Sequence, residues 1–282
     1  MLSIQDFKSG FHIGMHGLGM LHGIPHTNSL EALRFWRKKN IRFFEVDIAA
    51  TDDKQFILLS HNAAKKDLEK LEVFKAPLDG KYSLNWFRGI RTCEKSIDNG
   101  LMINTLEEFL SFVAKDEQIV AMIDPYGRSF DEIEQIAGLI TEYEKKHNNF
   151  LERILLELYT LNDVKKIQNY NRNIHIIACV KEDKYNFWGE KKDISALSEV
   201  DFISCKWKYI NDEREVLDYC KLHNIGILSL SRFDNNITAK KKAGININLV
   251  DVYGKGKYAI YLENILQFCY HLMVIWIHRK TN

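Results

Sequence analysis

Short apolar, β-branched runs alternate along this chain with longer segments of helical periodicity, the signature of βα units and a parallel sheet. The pattern predicts strands at 11–16, 41–48, 120–126, 154–160, 175–180, 202–208, 227–231 and 247–252. Helical segments are expected between them at 28–39, 130–146, 161–170, 194–199, 212–222 and 238–243. Asn28 or Ser29 is the expected N-cap of the first helix, and Asn211 and Asp212 suit the start of the fifth. Eight strands with helices between them predict an α/β fold, a (β/α)8 TIM barrel formed by a single domain over 1–282. The helix expected after the second strand is displaced by a longer stretch, so 63–104 is read as an insertion over the barrel mouth, followed by the regular helical segment TLEEFLSFV. Residues 258–282 are expected to form a C-terminal helix.

Alternate side chains of a strand face opposite sides. In the first strand Phe11, Ile13 and Met15 suit the helix layer, which turns His12, Gly14 and His16 inward. In the second, Phe44, Val46 and Ile48 face the helices while Glu45 and Asp47 point inside. Met122, Asp124 and Tyr126 share a face in the third, and Leu155, Glu157 and Tyr159 in the fourth. In the sixth, Ser204, Lys206 and Lys208 are expected to face away from Phe202, Cys205 and Trp207. Each of the first four strands thus ends in a polar group aimed at one mouth, where barrels of this kind build their sites. Carboxylates gathered in a buried place are costly unless a cation compensates them. Glu45, Asp47 and Asp124 therefore read as oxygen ligands for Mg²⁺ or Ca²⁺. On spacing alone, pairing of each with a lysine or arginine is an equal alternative.

Composition narrows the field without deciding it. Of 282 residues 46% are hydrophobic, enough for one large core, and 39 basic against 38 acidic residues leave a net charge of +1. That balance gives no reason to expect nucleic acid or an anionic membrane as partner. The five scattered cysteines contain no CxxC pair and read as small buried hydrophobes in a reducing compartment. The N-terminus lacks the basic start and apolar run of a signal peptide, so the cytoplasm is the expected location. The apolar run at 258–277 is interrupted by Glu263, Asn264, Gln267 and His271, which disfavours a spanning helix; packing on the barrel is expected, with an interfacial anchor as the alternative. Oligomeric state is not encoded in any pattern visible here.

The same polar residues carry a family pattern. Met15-His16-Gly17 is followed by His26-Thr27-Asn28-Ser29-Leu30-Glu31-Ala32, then Phe44-Glu45-Val46-Asp47, Thr51-Asp52-Asp53 and Leu59-Ser60-His61-Asn62. Thr105-Leu106-Glu107-Glu108, Ile123-Asp124 and Glu157-Leu158-Tyr159 continue it. The clear match covers 14–62, with weaker agreement to about 254, and it resembles the glycerophosphodiester phosphodiesterase family. The resemblance implies a phosphoric diester hydrolase of lipid metabolism, with a small-molecule phosphodiester as substrate. His16 and His61 would be its general base and general acid, and Glu45, Asp47 and Asp124 its metal ligands. The expected substrate-binding residues are Glu157, Tyr159, Tyr126 and Lys206. The substrate would be a glycerophosphodiester or a glycerol-phosphate-decorated glycan, with a non-catalytic ligand-binding protein as the alternative. A barrel deacetylase or amidohydrolase would want a His-x-His pair, and none occurs.

Three positions depart from the family pattern. Gly17 stands where the family usually has arginine, Asn62 where it has aspartate, and Tyr126 where it has lysine. The lost positive charge would have to come from Arg128, or from Lys206 and Lys208. Trp207 and Phe233 are further candidates to line a pocket with the insertion.

Overall fold

The computed structural model describes residues 1–21, 26–59, 81–89, 92–93, 96–97, 101–180, 187–188, 193–206, 214–233 and 237–252. His61, Asn62, Trp207, Lys208, Asn211, Asp212 and the expected C-terminal helix lie outside the described residues, as does most of the early part of the insertion.

The strands are β1 (His12–Met15), β2 (Phe43–Ala50), β3 (Phe56–Leu58), β4 (Thr92–Cys93), β5 (Ser96–Ile97), β6 (Val120–Asp124), β7 (Ile154–Leu158), β8 (His175–Cys179), β9 (Phe202–Lys206), β10 (Gly226–Phe233) and β11 (Ile247–Val252). The helices are α1 (Leu30–Lys38), α2 (Leu84–Gly89), α3 (Leu106–Lys115), α4 (Phe130–Lys146), α5 (Leu161–Tyr170), α6 (Arg214–Leu222) and α7 (Ile237–Ala243). The expected helix at 194–199 is a 3-10 helix, Ile194–Glu199. Eight parallel strands run in the order β1-β11-β10-β9-β8-β7-β6-β2, and pairing of β2 with β1 closes the ring. This is a (β/α)8 barrel. Strand β3 pairs antiparallel with the end of β2, and β4 with β5 forms a small separate hairpin.

Two apolar layers follow from the period-two alternation. Phe43, Val120, Met122, Leu155, Ile177, Phe202, Leu228, Ile247 and Leu249 fill the barrel interior. Met15, Phe44, Val46, Ile123, Leu156, Ile203 and Val250 face the helices. The inward and outward sets in the first four strands match expectation. Phe202 does not: it fills the interior on the same face as Ser204, as residues two apart on a strand must. An N-terminal 3-10 helix, Ile4–Phe7, joins the interior cluster, and its Phe7 ring lies 5.4 Å from that of Phe43.

Local chemistry sets the helix starts. Ser29, rather than Asn28, caps α1 by accepting from the Ala32 amide. Thr105 with Glu108, and Ser129 with Glu132, make reciprocal capping boxes at α3 and α4. Strand β6 ends at Asp124, two residues short of the expected strand, because Pro125 has no amide proton and the chain turns through Gly127 at φ +73°. The described part of the insertion rests on β3: Tyr82, Phe87 and Ile103 cluster with Ile57 and Leu59. Asp52 and Asp53 accept from the amides of Tyr82 and Leu84, which gives the Thr51-Asp52-Asp53 motif an anchoring role. No helix among the described residues is long and apolar enough to cross a membrane.

Candidate active site

Above the apolar interior layer the inward positions turn polar, and three carboxylates converge. Glu45 and Asp47 are i, i+2 on β2, and Asp47 stands in register with Asp124 of β6. One carboxylate oxygen from each of the three lies within 4.8 Å of the others, and all three residues are at most 6% exposed.

Each acid is aimed by a donor from elsewhere in the chain. Glu45 Oε2 accepts the Gly17 amide at 2.5 Å. Asp47 Oδ2 accepts from Asn28 Nδ2 at 2.8 Å, while the Asp47 amide donates to Asn28 Oδ1 at 2.9 Å. Asp124 Oδ1 accepts the Tyr126 amide at 2.9 Å and lies 2.6 Å from the Tyr159 hydroxyl. That hydroxyl also lies 2.8 Å from Glu157 Oε2, so its single proton serves one of two carboxyl groups at a time. Desolvation first, then the charges of Asp124 and Glu157, push the Tyr159 phenol well above its ordinary range, and it stays a donor at neutral pH. Glu157 is buried, and its other oxygen accepts from Ser204 of β9.

His16 directly follows β1 and places Nε2 3.8 Å from Glu45 Oε2. The next residue, Gly17, has φ +53°, a conformation that favours glycine, and His26 packs over it. The His16 and His26 rings meet edge to face, with centroids 4.1 Å apart.

The structure therefore gathers His16, Glu45, Asp47, Asp124, Glu157 and Tyr159 from the residues expected at the site. Tyr126 sits in the turn beyond β6 with its ring 5.3 Å from that of Tyr159, and its amide donates to Asp124. Lys206 is exposed at the end of β9. Arg128 lies 3.5 Å from Glu132 in the first turn of α4, so part of its charge is already engaged there. His61 is outside the described residues, and so is Lys208; Phe233 ends β10, and its side chain is not described. Gly17, Asn28 and Ser204 are site residues that strand alternation did not single out. Gly17 and Asn28 lie inside the quoted motifs, whereas the Ser204 contact depends on a pairing across the barrel that no local pattern announces. Cys179, Cys205 and Cys220 are buried in the core, as expected of small apolar side chains.

The donor set suits a hard divalent ion. Two ligands of one ion are separated by no more than twice the ligand distance, about 4.6–5.2 Å for Ca²⁺ and about 4.2 Å for Mg²⁺. A spread within 4.8 Å falls in the Ca²⁺ range, and Mg²⁺ would hold the three oxygens within the shorter span. Hydrogen bonds fix the carboxylates' orientation, as is usual around metal sites. Without a cation, three buried like charges this close would be costly.

Ninety-six solved protein chains share this architecture. A glycerophosphoryl diester phosphodiesterase from Parabacteroides distasonis superposes with a TM-score of 0.65 at 16% identity, covering 89% of this chain and 89% of its own. An Oleispira antarctica phosphodiesterase, solved with the product sn-glycerol-3-phosphate, gives 0.62 at 12% identity, covering 86% and 93%. A glycerophosphodiester phosphodiesterase from Agrobacterium tumefaciens gives 0.61 at 10% identity, covering 86% and 96%. The chain matches no protein-family model and no curated protein.

Proposed function

We propose that this chain is a metal-dependent phosphodiesterase of the glycerophosphodiester phosphodiesterase type, acting on a small diester that contains glycerol phosphate. The observation that carries the reading is the convergence of Glu45, Asp47 and Asp124 within 4.8 Å, beside a histidine at the same barrel mouth. The shared fold of the Parabacteroides and Oleispira phosphodiesterases supports it, as does the product bound to the latter.

Glu45, Asp47 and Asp124 would hold Mg²⁺ or Ca²⁺. When bound, such an ion neutralises charge building on a non-bridging phosphate oxygen. The chain's own groups do the rest. His16, next to Glu45, moves a proton at Nε2 on one side of the phosphorus, and the motif pairs it with His61 for the other side. Proton transfer matters because an alkoxide leaves slowly unless it is protonated. Tyr159 and Glu157 form a polar wall beside Asp124 that suits the hydroxyls of a glycerol unit. Lys206, exposed on the rim, would add positive charge as an anionic substrate approaches.

The test is turnover of glycerophosphodiesters and bis(p-nitrophenyl) phosphate with Mg²⁺ or Ca²⁺, repeated after chelation and in His16→Ala and His61→Ala. Metal-dependent turnover abolished in both variants is expected. Tight binding of metal and glycerol phosphate without turnover would instead establish the second reading, a binding protein. The tyrosine and glycine at positions where the family carries cations motivate that reading.

A further inference from the structure

His26 has no part in the mechanism above, yet the chain is shaped around it. Its ring stands edge to face with that of His16, at 4.1 Å and 71°. A Cβ on residue 17 would lie 2.8 Å from His26 Cα, 2.9 Å from its Cβ and 3.3 Å from its Cγ, so His26 occupies space that only glycine leaves open. Asn28 N donates to Gly17 O at 2.9 Å, and both the amide and the hydroxyl of Thr27 donate to Gly19 O, at 3.3 and 3.1 Å. These bonds hold 26–28 against 17–19 although His26 and Asn28 adopt left-handed φ values of +49° and +45°, which non-glycine residues rarely take.

Among the described residues, Glu45 Oε2 lies 3.8 Å from His16 Nε2, and the His26 ring packs against the imidazole. Offset and edge-to-face aromatic pairs have a preferred geometry that restrains both rings. We propose that His26 is a positioning residue, whose ring fixes the plane of the His16 imidazole at the barrel mouth. The proposal rests on the phosphodiesterase reading for its kinetic consequence, but the ring contact stands independently of it. The same contact accounts for a glycine after the first histidine: a side chain there would displace His26.

The experiment compares His26→Ala with His26→Phe, which keeps an aromatic ring without the imidazole nitrogens. His26→Ala is expected to lower kcat by about 10- to 100-fold, the scale of a misoriented catalytic group, with KM changed by less than about threefold. His26→Phe should recover most of the loss, and calorimetric Mg²⁺ or Ca²⁺ affinity should be the same in all three proteins. Imidazole ¹⁵N–¹H spectra of the metal-free proteins, with His16 assigned through His16→Ala, should show the His16 signals shifted in His26→Ala and nearer wild type in His26→Phe. Unchanged His16 signals in His26→Ala, a loss confined to KM, or failure of phenylalanine to restore kcat would overturn the proposal. Should the wild-type chain turn over no diester, the hydrolytic reading falls and, with it, the kinetic role; unshifted His16 signals alongside normal turnover would instead remove the positioning role alone.

Discussion

At the scale of single residues, the candidate site is built by backbone and amide donors as much as by the acids themselves. Gly17 serves twice: its amide bonds Glu45, and its missing side chain admits His26. Gly17→Ala is expected to cost about 1–2 kcal/mol from the left-handed φ alone. The added clash with His26 should also shift the amide that orients Glu45. Urea denaturation and metal calorimetry on the same protein check both effects, and full metal affinity in the variant would show that the Glu45 bond is dispensable. Asn28 clamps Asp47 through its amide nitrogen and oxygen together. Truncation to alanine should lower metal affinity by about 10- to 100-fold, the usual consequence of losing a group that orients a ligand. The acids and His16 were legible in the sequence because inward parity on a strand is local information. The bonds from Gly17 to Glu45 and from Asn28 to Asp47 span 28 and 19 residues, and periodicity does not encode contacts of that kind.

At the scale of elements, α4 and α5 occupy 130–146 and 161–170 as expected, because amphipathic periodicity runs through both and Ser129 and Thr160 cap their N-termini. Strand β3 has three residues and the β4–β5 hairpin two per strand, too few for a period to register. The overlong third strand is a different failure. Pro125 was visible, and its missing donor ends the ladder at Asp124, where the turn then supplies the Tyr126 amide to the carboxylate. A strand that ends at its own metal-ligand candidate places that acid at the rim rather than inside the barrel wall. Capping offers a test at this scale that leaves the site alone. Thr105 Oγ1 accepts the Glu108 amide at 3.1 Å, so Thr105→Ala should destabilise the protein by about 1 kcal/mol. The unfolding midpoint in urea should fall while metal affinity stays at the wild-type value; an unchanged midpoint would mean that burial of α3 alone sets its start.

For the whole molecule, the barrel separates the two tasks by its ends. The acids and His16 sit at the C-terminal ends of the strands, whereas the opposite end holds an ion network. There His175, at the start of β8, places Nδ1 3.0 Å from Asp201 Oδ2, with Lys8 3.5 Å from the same carboxyl and Glu152 3.7 Å from His175 Nε2. Burial pushes the Asp201 carboxyl upward, but its hydrogen bond and charge interaction with His175, helped by Lys8, leave it below the usual range. Burial likewise pulls His175 down, and the bond to Asp201 with the charges of Asp201 and Glu152 outweighs it, leaving the imidazole above its usual value. A depressed carboxyl contributes stability above its unfolded pKa and loses it as pH falls through the folded one. A raised histidine contributes fully below its unfolded pKa and loses it as pH rises through the folded one. The pair is therefore worth most between about pH 4 and pH 6.5, the unfolded values of the two groups. Asp201→Asn keeps an acceptor for the Ile176 amide but removes the charge, and should cost about 1 kcal/mol in that window, since the pair is partly exposed. The difference from wild type should shrink on either side, and diester turnover should be untouched because the network lies across the apolar layer from the acids. Denaturation curves from pH 3 to 9 decide it: a pH-independent difference would assign the loss to packing, and a parallel loss of turnover would show that the two ends of the barrel are coupled.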